Sequence, residues 1–450
     1  MQKLVVGYAG LSKASWKTPK IQGLMDQAVT SLEKLPVEVV RQAELTISDA
    51  EVAKLCDQFN AKQVDVVIIH FPTFPLGAMI PEIARRTNVP ILLFANPEEP
   101  AEGGIWEQNS FCGANMAAHV MHRMKKQYQM IWGKSEELGK LIESYCNVLS
   151  CAKSIRNTKV GLVGGRVPGF YTSNFNELRL RTELGSAVEI IDLVEIVETA
   201  RKISGEQAAA GLAKVKESAA ETCCVSNEEL AKAGNLYQAF IQIKEKYNLD
   251  DLAIRCWPEF PDYYDIAPCA VIGMLNNDGI VSSCEGDVYG ALTMAMQKNL
   301  SGGAAPFFVD LISFDYDDNT GVVWHCGAAP KCLCRDESET VLRKHMRVDG
   351  GDKKGLTNDF SLKSGRVTLA KLDETDEGYR MLIASGTALD TDKFIRGNPL
   401  RIKFDDDMKT LIDTIIKEGF EHHYSVIHAD VKDELLALCE LFGIKPVMVG

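Results

Sequence analysis

The sequence predicts an α/β protein: two Rossmann-like parallel-sheet domains followed by a β-rich, barrel-like C-terminal domain. Three observations predict it. Up to about residue 300, short β-branched runs alternate with amphipathic helical patterns, the signature of βαβ units and a parallel sheet. After Gly302 helical periodicity nearly vanishes, and short strands follow one another between the turn signals DDNTG, KSG, ETDEG and RGN. From about Lys409 the helical pattern returns. The division expected is 1–153, 154–302 and 303–450, because 450 residues are too many for one core.

In the first domain KLVVGYAG, VEVVR, VDVVIIH and VPILLFA read as strands, with IQGLMDQAVTSLEKL and DAEVAKLCDQF as helices between them. Helices are expected from about 110 to 129 and from 136 to 152. His70 closes the third strand, at the carboxyl edge where open α/β sheets bind ligands. His119 and His122 share a helix face, but such spacing recurs by chance on any helix, and ordinary surface or core positions account for it better.

In the second domain KVGLVGGRVPGFY reads as a strand and a Gly-rich turn. It matches neither GxGxxG nor the Walker pattern, so a tight turn using glycine's φ freedom is the simpler reading. AVEIIDL, LAIRCW and GIVSSC supply the remaining strands. ALTMAMQKNL is a helix whose Met294 and Met296 read as core filler. The third domain's strands are PFFVDLISFD, TGVVWHCG, GRVTLAKLD, EGYRMLIASGTAL and NPLRIKF.

Composition narrows the function. A net charge of −13 argues against nucleic acid as a partner. No apolar run is long enough to span a membrane, and the N-terminus lacks the pattern of a secretory signal. Thirteen cysteines, scattered and mostly within apolar segments, read as reduced core thiols of a cytoplasmic protein. Cys332 and Cys334 form a CLC motif near Cys326, without the second CxxC pair of a zinc site.

Chemistry concentrates between Arg255 and Asn299. Glu259 follows LAIRCW, and Glu285 and Asp287 follow GIVSSC. Carboxylates at the ends of adjacent strands face one crevice and suit a hard divalent cation. Asp287 also stands where an N-cap is needed for the helix beginning near Val288. His422, His423 and His428 fall within seven residues near the end. His422 and His423 open a strand-like segment, so their side chains are expected on opposite faces, one reaching a site while the other packs. His325, in WHCGAAP, ends another apolar strand.

RCWPEF, CEGDVYGALTM, HCGAAP and EHHYSVIHADV together resemble the L-fucose isomerase and L-arabinose isomerase family. GLVGGRVPGF with VEIIDLVEI resembles the start of that family's second domain. The resemblance implies an aldose–ketose isomerase that acts on a small sugar through a metal-stabilised enediolate, with a divalent metal, most often Mn2+. It implies Glu259, Asp287 and His423 as metal ligands, with Glu259 and Asp287 also sharing proton transfer. Glu285 stands as an alternative to Asp287, and His325 and His422 as further candidates for the site. The resemblance further implies a homo-oligomer, often a hexamer, with His119 or Trp106 facing a neighbouring subunit's site. Two alternatives remain open. One is a sulfosugar (sulfoquinovose) isomerase, whose sulfonate needs a cation such as Arg166 or Arg255. The other is a non-catalytic sugar-binding protein.

Overall fold

The computed structural model describes residues 3–98, 108–345 and 355–449. The chain divides into two compact units, Met1–Ser150 and Cys151–Gly450.

In the first unit β1 (Leu4–Gly10), β2 (Val37–Arg41), β3 (Val66–Phe71), β4 (Ile91–Ala95) and β5 (Tyr128–Trp132) form a parallel sheet in the order β2-β1-β3-β4-β5. Every residue of β3, VVIIHF, is buried, as a central strand covered on both faces requires. The helices Pro19–Leu32 and Asp49–Ala61 start where the hydroxyls of Thr18 and Ser48 accept backbone N–H groups three residues on. The expected helix from 110 to 129 stops at Arg123, and Tyr128–Trp132 becomes the fifth strand. As a half-exposed edge strand it needs no apolar run, so it leaves little periodic signal. His70 is fully buried, with Nδ1 on the Tyr8 hydroxyl at 2.5 Å and Nε2 on Asn96 Oδ1 at 2.7 Å. His119 and His122 are exposed, and Trp106 lies outside the described residues.

The second unit opens with β6 (Lys159–Val163), β7 (Ala187–Ile191), β8 (Glu221–Cys223), β9 (Asp251–Ile254) and β10 (Ser282–Cys284). Four of these make a second parallel sheet in the order β10-β9-β6-β7. The remainder is mostly β-structure: β11 (Pro306–Asp315), β12 (Thr320–His325), β13 (Val341–Lys344), β14 (Leu356–Asp359), β15 (Gly365–Thr375), β16 (Gly378–Ala388), β17 (Asn398–Phe404), β18 (His423–Ile427) and β19 (Lys445–Met448). The strands β15-β18-β11-β12-β17-β16 run in that order, and β15 pairs back onto β16, so the sheet closes into a six-stranded antiparallel barrel. β19 lies parallel to β16 beside it. Phe307, Val309, Phe360, Leu382, Phe404 and Val426 belong to the barrel's core. A small sheet, β14-β13-β8, was not legible in the sequence.

One helix, Val288–Leu300, ties the parallel sheet to the barrel within this unit. It follows β10, and Met294 and Met296 are fully buried core residues. Thr293 Oγ1 accepts the Leu372 N–H of β15 at 3.0 Å. The Gln297 amide donates to the carbonyls of Thr368 and Ser425 at 3.0 and 3.3 Å, and accepts the Ser425 hydroxyl at 2.6 Å. A buried glutamine with partners at both ends of its amide fixes the helix against β15 and β18.

Candidate active site

The site begins in the turn after β10. Glu285 and Gly286 both take left-handed backbone conformations, with φ of 60° and 71°. That reversal carries the chain from the strand into the helix Val288–Leu300. Glycine is needed at 286, because a Cβ there would collide with the carbonyl oxygen of Gly165. The Gly-rich loop after β6 therefore serves as packing for this turn, and no phosphate cradle is required to explain it. The same loop presents Phe170, whose ring lies 5.6 Å from His422, 6.2 Å from His423 and 5.7 Å from Trp257.

Asp287 does two jobs. Its Oδ1 accepts the Gly290 N–H at 2.7 Å, capping the helix, and its Oδ2 lies 3.0 Å from His423 Nδ1. The other nitrogen of that ring, Nε2, is 2.7 Å from Glu285 Oε2. His423 is the first residue of β18 and is 1% exposed. In the barrel register it pairs directly with Asp310 of β11. Asp310 Oδ1 is buried with no hydrogen-bond partner. A buried carboxylate oxygen without a partner is costly and calls for a cation or a ligand group.

These groups meet at a cavity of about 170 Å³, which Glu285, Asp310, His422, Trp257, Cys269 and Cys326 help to line. That is smaller than the roughly 300–1,000 Å³ of drug-sized ligand pockets and suits a small polar ligand. A larger cavity of about 730 Å³ lies around Tyr289, Asp373, Glu374 and Asp376. It is lined by no histidine and carries several carboxylates, so it lacks the mixed ligand set and disfavours an anion.

The electrostatics of the small cavity are those of a coupled acid–base cluster. Burial pushes the Asp310 carboxyl above its ordinary range, only partly offset by His325 and His423. Burial acts likewise on Glu285 and Asp287, but the His423 hydrogen bonds outweigh it and hold both carboxyls below the usual range. His423 is raised, because its bonds to Asp287 and Glu285 overcome burial. Burial also opposes charge on His325, yet Cys326, Asp310 and Glu285 lift it to about 10. The Cys326 thiol is held well below its usual range, first by Cys269 and then, against burial, by His325. Strong shifts of this kind gathered in one cleft mark a functional site.

Two family profiles match the chain. "Fucose/sulfoquinovose isomerase, N-terminal domain" covers residues 20–159, and "L-fucose isomerase, C-terminal domain" covers residues 324–449. The chain is similar to a sulfoquinovose isomerase of Alkalicoccus urumqiensis, 30% identical over 390 residues, which is 86% of each chain. The chain belongs to the fucose/sulfoquinovose isomerase family. It is also similar to sulfoquinovose isomerases of Priestia aryabhattai, 26% identical, and of Clostridium sp. (strain MSTE9), 28% identical, each over 99% of both chains.

For this member of the fucose/sulfoquinovose isomerase family, the structure gathers some of the expected residues and not others. Glu285, Asp287 and His423 lie in one hydrogen-bonded line. Glu259 makes no hydrogen bond to that line: it opens the short helix Glu259–Tyr263, its Oε1 is paired with the guanidinium of Arg255, which also donates to Gly164 O, and its Oε2, like Asp310 Oδ1, is buried with no partner. His422 precedes β18, so strand alternation does not govern it. Its ring lies 4.2 Å from that of His423, and ligand atoms of Glu285, His422 and His423 all fall within 4.8 Å of one another. His325 is buried beside Cys326, its Nδ1 3.5 Å from the thiol. His428 follows the end of β18, and its Nε2 meets the Lys363 carbonyl. Sequence reading missed Asp310. It lies within PFFVDLISFD, and an acid inside an otherwise apolar strand was the available signal. No helix among the described residues is long and apolar enough to cross a membrane.

Proposed function

We propose that this isomerase interconverts an aldose and a ketose, with sulfoquinovose as the aldose, at the cavity lined by Glu285 and Asp310. The observation that carries the reading is the Glu285–His423–Asp287 line beside the unpartnered Asp310 oxygen. Two carboxylates and an imidazole form the mixed O/N donor set that a divalent cation of the manganese class takes. Glu285, Asp310 and His423 Nε2 would hold it, with His422 close enough to join. Asp287 would orient His423 through Nδ1, the carboxylate–histidine arrangement that supports metal-ligating imidazoles. Such an ion polarises a sugar carbonyl when bound. Isomerisation takes a proton from C2 and delivers one to C1, and the carboxylate of Asp310, which lines the cavity, is placed to carry it. The accompanying transfer from the O2 to the O1 hydroxyl falls to Glu285.

The choice of a sulfosugar rests on near full-length similarity to proteins named sulfoquinovose isomerase. Of the two cations that could meet a sulfonate, Arg255 is committed to Glu259. Arg166 is exposed, makes no ion pair among the described residues, and lies with its guanidinium 5.2 Å from the Tyr171 ring. Its backbone packs on Gly286, next to Glu285. The test is turnover of sulfoquinovose, L-fucose, L-arabinose and D-arabinose with Mn2+ and after chelation. Turnover of sulfoquinovose that chelation abolishes and Mn2+ restores is expected. Preference for L-fucose would overturn the substrate assignment, and no turnover of any aldose would overturn the reaction.

A further inference from the structure

Beside the carboxylate–imidazole cluster, the same cavity has a wall of different chemistry. Cys269 is the first residue of the helix Cys269–Asn277, Cys326 follows β12, and His345 follows β13. Three separate elements thus deliver two sulfurs and an imidazole to one place. The Cys269 and Cys326 sulfurs are 3.6 Å apart, the Cys326 thiol is hydrogen-bonded to His345, and one ligand atom from each residue lies within 4.8 Å of the other two. Cys269 and His345 are buried, and all three side chains line the cavity.

We propose that Cys269, Cys326 and His345 form a second metal site, for a thiophilic divalent cation of the zinc class, in the wall of this cavity. The sulfur–sulfur separation of 3.6 Å already suits it. With Zn–S near 2.3 Å and Zn–N near 2.0–2.1 Å, tetrahedral geometry places sulfurs about 3.8 Å apart and sulfur and nitrogen about 3.6 Å apart. Three protein ligands leave a fourth position, and that position faces the cavity, the pattern of zinc sites that keep one place open for water or a ligand. Ligand softness separates the two sites. Thiolates favour zinc, whereas Glu285, Asp310 and His423 offer the oxygen-rich set favoured by manganese, so one chain can hold both ions at once. In a cavity of about 170 Å³, an ion with its water takes up much of the space open to a ligand. The CLC motif takes no part. Cys332 is exposed, and the Cys334 thiol donates to the Asp336 carbonyl at 2.9 Å.

The inference does not rest on the isomerase reading, and its test does not use turnover. Full-length, reduced protein is titrated with Cd2+, a spectroscopic stand-in for zinc, and followed by the ultraviolet thiolate-to-cadmium charge-transfer band. The expected result is saturation of the band at about one equivalent, and protection of Cys269 and Cys326 from alkylation in peptide mapping. Cys269→Ser should reduce the band to about half, and His345→Gln should weaken binding about tenfold with the band preserved. If the serine variant fails to fold, alkylation protection in the unsubstituted protein decides the matter. A missing band would overturn the proposal. So would protection confined to the vicinal pair Cys223 and Cys224, whose sulfurs are 3.5 Å apart on the surface, or a Cys269–Cys326 disulfide in the isolated protein with no metal uptake after reduction.

Discussion

Asp287 holds a helix and a histidine with one carboxylate: Oδ1 caps the helix Val288–Leu300 through the Gly290 N–H, and Oδ2 takes His423 Nδ1 at 3.0 Å. The two roles separate under substitution. Asn caps helices about as well as Asp, so Asp287→Asn should leave the melting temperature nearly unchanged. It should weaken Mn2+ binding roughly 10–100-fold, because the imidazole loses its charged orienting partner. Calorimetric titration with Mn2+ beside thermal melts checks this. Unchanged affinity would show that Asp287 is a helix cap and nothing more.

Asp310→Asn should separate function from stability in the opposite sense. Metal binding and turnover are expected to fall below detection. The metal-free protein should melt at a higher temperature than the unsubstituted one, since a buried carboxylate without a hydrogen bond for Oδ1 is replaced by a neutral amide. A variant that binds Mn2+ normally would remove Asp310 from the ligand set.

Arg166→Ala should raise KM for sulfoquinovose and leave kcat within a few-fold. The loss of one charge-assisted contact to a sulfonate, about 1.5–3 kcal/mol, corresponds to roughly a 10–100-fold change. An equal rise in KM for an uncharged aldose would mean that the residue shapes the loop and does not read the sulfonate. Steady-state kinetics on both sugars decides between the two.

His70 makes the first unit acid-sensitive. Burial holds it down to about 4, against about 6.5 in an unfolded chain. The unfolded chain therefore takes up a proton that the folded one refuses. Stability should fall as pH drops through about 6.5 and level off near 4, by about 3 kcal/mol from this group. Denaturant unfolding of the first unit followed across that range would show the slope, and a flat profile would disprove it. His70→Gln should flatten it.

Much of this architecture was legible because periodicity is strong where a face is buried. LVVGYAG, VVIIHF and the long barrel strands announce themselves, and the switch after Gly302 from mixed to nearly pure β pattern marks the second architecture. What escaped lacks that signature. β5 is a half-exposed edge strand, and β8, β13 and β14 are only three or four residues long. Part of the candidate site was legible as a cluster. Glu285, Asp287 and His423 stand in a short motif or at a strand start, where sequence offers a foothold. Asp310 comes to His423 by cross-strand register across more than a hundred residues, which no local pattern records. Glu259 stands where a carboxylate after an apolar strand suggests a ligand, and one of its oxygens is paired with Arg255 four residues back while Oε2 is buried without a partner, a pairing the strand pattern alone does not show. The cluster of Cys269, Cys326 and His345 has no motif at all, since its members come from three elements.

The closure of β15 onto β16 has a consequence for how copies of this chain can associate. A closed ring offers no row of unpaired N–H and C=O groups for another chain to extend. Among the described residues, the strand appended to the ring is β19, and it is four residues long and begins with Lys445 and Pro446. A short strand bearing a charged side chain and an imino acid makes a poor template, because proline cannot donate and lysine resists burial. Growth by strand addition is therefore blocked at the barrel, and any assembly there is left to side-chain surfaces, where recognition can be selective.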